Sequence, residues 1–204
     1  MSKNLILSSL ILLVNATVVN TLTEAERNAM LKCHNDYRSQ LAKGTSPNKS
    51  GNLPQGKNIK ILVYDQKVEN SSAKWAEKCS MGHSQGSYGE NLYMTSDPNI
   101  NITKVLLDAC NSWWSECKDY GVQSSLVLDM GQFNNGIGHC TQMAWANTKR
   151  IGCAVQRCPN SMWKTYVVCQ YDPPGNYLGQ TIYQKGQPCT GCGNAGCNST
   201  GLCN

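Results

Sequence analysis

Apolar and polar positions recur along this chain with a period that changes from segment to segment, and the changes mark its elements. From Thr23 to Ala42 the stretch TEAERNAMLKCHNDYRSQLA sets Met30, Leu31, Tyr37 and Leu41 near helical spacing. Thr23 with Glu26 three residues on forms a capping box, so a first helix is predicted there. Residues 43–58, KGTSPNKSGNLPQGKN, are rich in Gly, Pro, Asn and Ser and predict an exposed loop. A second helix is expected from about Asp65 to Cys79, with Val68, Trp75, Ala76 and Cys79 on one side. A third is expected from about Thr103 to Lys118, carrying a stripe of Leu106, Ala109, Cys110, Trp113 and Cys117. Beyond residue 120 the texture turns to short β-prone runs: GHCTQMAW, then IGCAVQRC and YVVCQYDP, the last two joined through a Pro159-Asn160 turn into a hairpin. From about Gln180 onward no apolar periodicity is left. The expected class is α+β.

Composition narrows the setting. Twelve cysteines in 204 residues exceed what an intracellular enzyme of this length carries, whereas 40% hydrophobic residues and one ordinary domain length provide a core without them. Only 15% of residues are charged, the formal balance is +5 and no Lys/Arg run exists, which excludes a long disordered chain and argues against a nucleic-acid binder. The amino terminus reads as a signal peptide over residues 1–20: Lys3 precedes the apolar run Leu5 to Val14, and Val14-Asn15-Ala16 offers a cleavage site, placed near 16–20. A membrane anchor needs about twenty apolar residues, roughly twice this run. Secretion into an oxidising compartment then makes six disulfides the expectation. Sequons at Asn15, Asn48, Asn70, Asn101 and Asn198 agree with that compartment, Asn15 departing with the signal.

The expected organisation is a domain over residues 21–179 and a cysteine-rich tail over 180–204. Cys189-Thr190-Gly191-Cys192 read alone suggests a redox pair, and the four tail cysteines suggest zinc, but both need a reducing compartment. Cys110 and Cys117, seven residues apart on one helix, lie about 10 Å apart and cannot bond to each other. Each is expected to pair with another element, and Cys33, Cys79, Cys140, Cys153, Cys158, Cys169, Cys189, Cys192, Cys197 and Cys203 complete the six expected disulfides, whose connectivity the sequence does not fix.

Three histidines bound the search for chemistry. His34 lies inside the first helix and is read as a packing or hydrogen-bonding residue. His83, in GHSQGSYGENLY, and His139, in GHCTQMAW, both open polar glycine-flanked turns. Glu90 follows His83 by seven residues, and Glu116 shares the azimuth of Val105 and Ala109 on the third helix, where a half-buried carboxylate wants a partner. Two imidazoles and two carboxylates suit zinc or another divalent cation, but spacing alone is a weak signal and no His-x-x-x-His pair shares a helical face, so the residues by themselves favour a structural hydrogen-bond cluster. Gly82-His83-Ser84-Gln85-Gly86 matches the Gly-x-Ser-x-Gly pattern of a nucleophile elbow, but a helix precedes it and a strand-like run follows, the reverse of what that device needs.

GHCTQMAW and YVVCQYDPPGNYLG resemble the two signature segments of the CAP superfamily of cysteine-rich secretory proteins, antigen 5 and pathogenesis-related proteins. His34-Asn35-Asp36-Tyr37-Arg38 and Gly89-Glu90-Asn91-Leu92 resemble its two shorter motifs, and all four stand in order between Thr23 and Gly179. Within that superfamily the chain is most similar to the activation-associated secreted, venom-allergen-like proteins of parasitic nematodes. The resemblance implies a three-layer α-β-α sandwich around a central antiparallel sheet, with an open cleft holding His83, Glu90, Glu116 and His139, and a divalent metal through His83 and His139. It also implies an extracellular, non-enzymatic binding protein that meets a host extracellular protein or cell-surface receptor. Sterol or fatty-acid carriage and metal-dependent or serine-type hydrolysis are its rivals. Monomer and homodimer both remain open.

Overall fold

The computed structural model describes residues 21–204; the expected signal peptide and the Asn15 sequon lie outside them. Helix α1, Glu24–Lys43, starts at Thr23, whose hydroxyl accepts from Glu26 N while the Glu26 carboxylate accepts from Thr23 N, so the capping box closes in both directions. It ends at Gly44 in the left-handed conformation (φ 69°) that releases a chain from a helix. Helix α2, Gln66–Ala76, is capped by Asp65 and stops short of Cys79. Helix α3, Ile102–Asp119, is capped by Asn101 Oδ1. The strands are β1 Val63–Tyr64, β2 Gly89–Thr95, β3 Arg150–Arg157 and β4 Thr165–Asp172, in the sheet order β1-β3-β4-β2. The sheet is antiparallel apart from the two-residue edge strand β1, which runs parallel to β3.

Alternation along β4 feeds two layers. Val167, Cys169 and Tyr171 enter the larger core with Met30 and Leu41 of α1 and Leu106 and Trp113 of α3, while Tyr166 and Val168 face Ala76 of α2 and Ala154. The result is the expected α-β-α sandwich. Helix α2 approaches β3 so closely that a Cβ on Gly152 would sit 2.1 Å from Glu69 N, which leaves room for glycine alone.

Two expectations change. GHCTQMAW does not continue the β texture: after a short helix α4, Met130–Gln132, and a π-helical turn, Phe133–Ile137, residues Gly138–Ala144 form helix α5. The helix is imposed from outside. Glu116 Oε2 accepts from the backbone N–H groups of His139 and Cys140, which lack partners in a first turn, and Cys140 is bonded to Cys117. The tail, in whose sequence no apolar periodicity is left, nonetheless docks onto the domain. Ile182, Tyr183 and Leu202 are buried in the main core, and Cys203 bridges to Lys60 and exchanges backbone bonds with Ile59 and Ile61. All twelve cysteines pair, as Cys33–Cys110, Cys79–Cys158, Cys117–Cys140, Cys153–Cys169, Cys189–Cys197 and Cys192–Cys203. Among the described residues no helix is long and apolar enough to cross a membrane.

Helix α1 is tied in by side chains that bind main chain. Asn35 accepts from Leu62 N and donates to Leu62 O. Arg38 is fully buried and gives its five N–H groups to the carbonyls of Lys60, Met143, Trp145, Ala146 and Thr148. Burial pushes its guanidinium down to about 9, still above physiological pH, so it remains a cation. Lysine has three donors in another geometry. Arg38→Lys is expected to lower unfolding free energy by about 2–5 kcal/mol in denaturant titration, since two or more buried carbonyls lose their donor.

His34 is buried as expected. Its Nδ1 lies 2.9 Å from Met30 O, a group that only accepts, so Nδ1 carries the proton and Nε2 accepts from the Tyr171 hydroxyl at 2.9 Å. Burial, reinforced by the Arg38 charge, pushes this imidazole down to about 4 despite the Met30 bond. The folded protein thus keeps His34 neutral while the unfolded chain protonates near 6.5. Its contribution to stability is complete above pH 6.5 and is lost as pH falls toward 4, by about 3 kcal/mol. Urea titrations across that window should show this loss in the parent and a flatter profile in His34→Gln.

Candidate functional site

The loops and helix ends of this sandwich bring His83, Glu90, Glu116 and His139 to one cleft of about 170 Å³, lined also by Asn91, Phe133, Gly136, Gly138 and Asn176. Glu116 comes from the last turns of α3, His139 from the start of α5, Glu90 from β2, and His83 from the segment between α2 and β2. Each imidazole is held by one carboxylate. His139 Nδ1 lies 2.6 Å from Glu116 Oε1, and His83 Nδ1 lies 2.9 Å from Glu90 Oε1.

The two pairs differ in rigidity. Glu116 also takes the α5 backbone amides, the His139 ring stacks on Trp113 at 6.1 Å, and Trp113 is itself fixed by Nε1 donating to Leu92 O. The His139 side chain is 33% exposed; that of His83, on a loop, is 58% exposed. Glu90, by contrast, is nearly enclosed. It accepts from Ser84 N at 2.8 Å, from the Ser84 hydroxyl at 2.6 Å and from Gln170 Nε2 at 2.8 Å. Burial alone would raise the Glu90 carboxyl, but the hydrogen bonds from His83, Ser84 and Gln170 outweigh it and hold the group below its ordinary value. Glu90 is therefore an ionised anchor.

With Nδ1 committed to a carboxylate, Nε2 is the coordinating atom each ring has left, and neither Nε2 has a hydrogen-bond partner among the described residues. A carboxylate behind a ligating imidazole is the usual second layer of a metal site, so the donor set fits a divalent cation. The four groups do not converge into a set of three ligand atoms within 4.8 Å; among the described residues only Cys189, Cys192 and Cys197 do so. Those sulfurs are spent in the Cys189–Cys197 and Cys192–Cys203 disulfides and offer no thiolate. The cleft thus supplies two imidazoles, with the carboxylates as orienters.

Ser84 and Gln170 were not singled out as partners of Glu90 by sequence. Gln170 stands opposite Glu90 in the β2–β4 register, a relation readable only once the strands are paired. Asn91 Nδ2 donates both to His139 O and to the Tyr171 hydroxyl, which links the cleft to His34 through a buried chain. Ser84 does not face His83 as a nucleophile faces its base, because both residues turn to Glu90.

A mixed sandwich stapled by disulfides, with paired imidazoles and carboxylates in one cleft, defines a class of proteins, and the comparisons agree with it. The pattern of the cysteine-rich secretory protein family, CAP, matches residues 31–171, and the chain belongs to that family. The Ancylostoma secreted protein of Ancylostoma caninum is 41% identical over 192 residues, 89% of this chain and 45% of that protein. The chain therefore spans less than half the length of that relative. Venom allergen 5 of Dolichovespula arenaria is 33% identical over 171 residues, covering 80% of this chain and 82% of that one. The crystal structure of NaASP2 with Zn2+ shares 38% identity and a TM-score of 0.85, covering 91% of this chain and 98% of the other.

Glu116 serves three donors at once, two of them in the first turn of α5. Glu116→Gln keeps the shape but removes the charge and one acceptor, and is expected to lower unfolding free energy by about 2 kcal/mol in thermal or urea titration.

Proposed function

We propose that this chain is an extracellular, non-enzymatic binding protein of the nematode secreted type, acting at a host interface, whose cleft takes a divalent cation through Nε2 of His83 and His139. The observation that carries the metal reading is the pairing of each Nδ1 with a buried or half-buried carboxylate, which fixes both tautomers with Nε2 as the coordinating atom. A bound cation would supply a Lewis-acid centre with open positions for water or a partner's ligand. The similarity to NaASP2 with Zn2+ and to the Ancylostoma secreted protein supports the same reading. Six disulfides support the extracellular compartment. The non-enzymatic reading is supported by Ser84, whose hydroxyl is held between Glu90 and Gln170. The groove between α1 and α3, about 380 Å³, is lined by Ala29, Tyr37 and Leu107 together with Lys32, Asp36 and Asn111, and sterol or fatty-acid carriage there is the rival reading.

Zinc titration with thermal unfolding tests the metal reading. An excess of about 100 times the dissociation constant should stabilise the parent by about 3 kcal/mol. Chelator should reverse the shift, and His83→Ala with His139→Ala should abolish it. A parent protein unmoved by zinc, manganese or other divalent ions would sink the proposal.

A further inference from the structure

The acidic residues of this chain are unevenly spread, and the fold turns that unevenness into a surface. No Asp or Glu occurs between Asp36 and Asp65, between Asp129 and Asp172, or after Asp172. Three stretches free of them are sewn together: the 43–60 loop, the turn at 146–149 and the tail. Lys57 N donates to Gln184 O, Gly191 N to Lys57 O, Lys60 N to Ala146 O, and Val63 N to Lys149 O, while Gly56 bridges to Lys185 and Lys60 to Cys203. Lys43, Lys57, Lys60, Lys149 and Lys185 of these stretches are thereby gathered, while Lys49 lies apart, against Gly121.

The tail glycines shape their placement. A Cβ on Gly186 would lie 3.1 Å from the Lys57 stem, one on Gly191 2.9 Å from it, and one on Gly201 3.9 Å from Lys43 Cε. The stems of Lys57 and Lys43 therefore lie against tail backbone, and their ammonium groups are carried on a supported surface. Lys43, Lys149 and Lys185 are exposed, and Lys57 and Lys60 half-exposed. None of the five has a carboxylate within 4.0 Å among the described residues. The cation beside them, Arg150, is neutralised by Asp65 and Asp172 and so drops out. Lys60 Nζ meets only the Asn147 side-chain oxygen, at 3.4 Å. Burial, the neighbouring Lys149 charge and Arg38 all push the Lys60 ammonium down, so these cations lie within each other's field without a counter-charge.

We propose that this lysine face, outside the histidine cleft, binds a linear sulfated polysaccharide. Point-charge ammonium groups spaced along a supported surface suit repeated sulfates. The side-chain amides of Gln55, Asn58, Asn147 and Gln184 among them supply the donors and acceptors that sugar hydroxyls need. The three stretches that build the face contribute none of the exposed large apolar residues, so it lacks apolar anchors of its own that insert into a lipid surface.

A heparin-derived octasaccharide titrated into the full chain by calorimetry at 150 mM NaCl is the probe. Binding is expected. Lys60→Gln with Lys149→Gln should weaken it tenfold or more and reduce the slope of log affinity against log salt by roughly one to two. Lys57→Gln with Lys185→Gln, a second pair on the same face, should do likewise. Lys74→Gln with Lys118→Gln, which removes equal charge elsewhere, should leave affinity within about twofold. No binding by the parent, or equal losses in the control pair, overturns the proposal. So does binding to phosphatidylserine–phosphatidylcholine vesicles without binding to the octasaccharide, which would assign the face to an acidic membrane.

Discussion

A guanidinium taken wholly out of water, with no carboxylate beside it among the described residues, is kept only if every N–H finds an oxygen, and Arg38 meets that condition with five backbone carbonyls. One carbonyl comes from the loop before β1 and four from residues 143–148, the exit of α5 and the approach to β3. A single side chain on α1 therefore reinforces the path of two segments that are otherwise linked only by isolated backbone bonds and bridges. Asn35, pairing both its side-chain atoms with Leu62, does the same one turn earlier. The irregular backbone is in effect paired to helix α1, and its ordered path lets α5 present His139 at one end while its other end is anchored.

The cleft inherits that order unequally. His139 stands on a helix whose first turn is closed by Glu116, whose next residue is bonded to α3 through Cys117–Cys140, and whose backbone carbonyl receives Asn91. His83 stands on a loop rooted by Cys79–Cys158 and held at its tip through Glu90. The carboxylates differ in task as well. Glu116 joins secondary structures and orients a ring, while Glu90 collects a serine, a glutamine and a ring into one ionised cluster. The two imidazoles and two carboxylates form a hydrogen-bonded cluster that occupies one side of each ring and leaves Nε2 of each without a hydrogen-bond partner among the described residues.

The disulfides have different work in different places. Cys153–Cys169 staples paired strands already in register, whereas Cys33–Cys110 and Cys117–Cys140 each join α3 to a separate element, as the helical separation of Cys110 and Cys117 required. In the tail two bridges bind a segment with little regular structure, yet Leu202 and Tyr183 reach the core, so the cysteines fix a strap that the hydrophobic effect also holds.

What the sequence determined by itself was whatever depends on neighbours in the chain. Thr23 with Glu26 marks the start of α1, the stripe from Leu106 to Cys117 marks α3, and the β3–β4 hairpin follows from its β-prone runs and the Pro159-Asn160 turn, because caps, helical faces and turns are local devices. The motif positions of His83, Glu90, Glu116 and His139 were legible too. Tertiary structure decided what depends on residues far apart. GHCTQMA becomes helix because a carboxylate more than twenty residues away caps it; Gln170 meets Glu90 only through strand register; and a set of lysines becomes one uncompensated face only when the loop, the turn and the tail are folded together. In each case the deciding energy is a hydrogen bond or a charge interaction between segments, which no local pattern encodes.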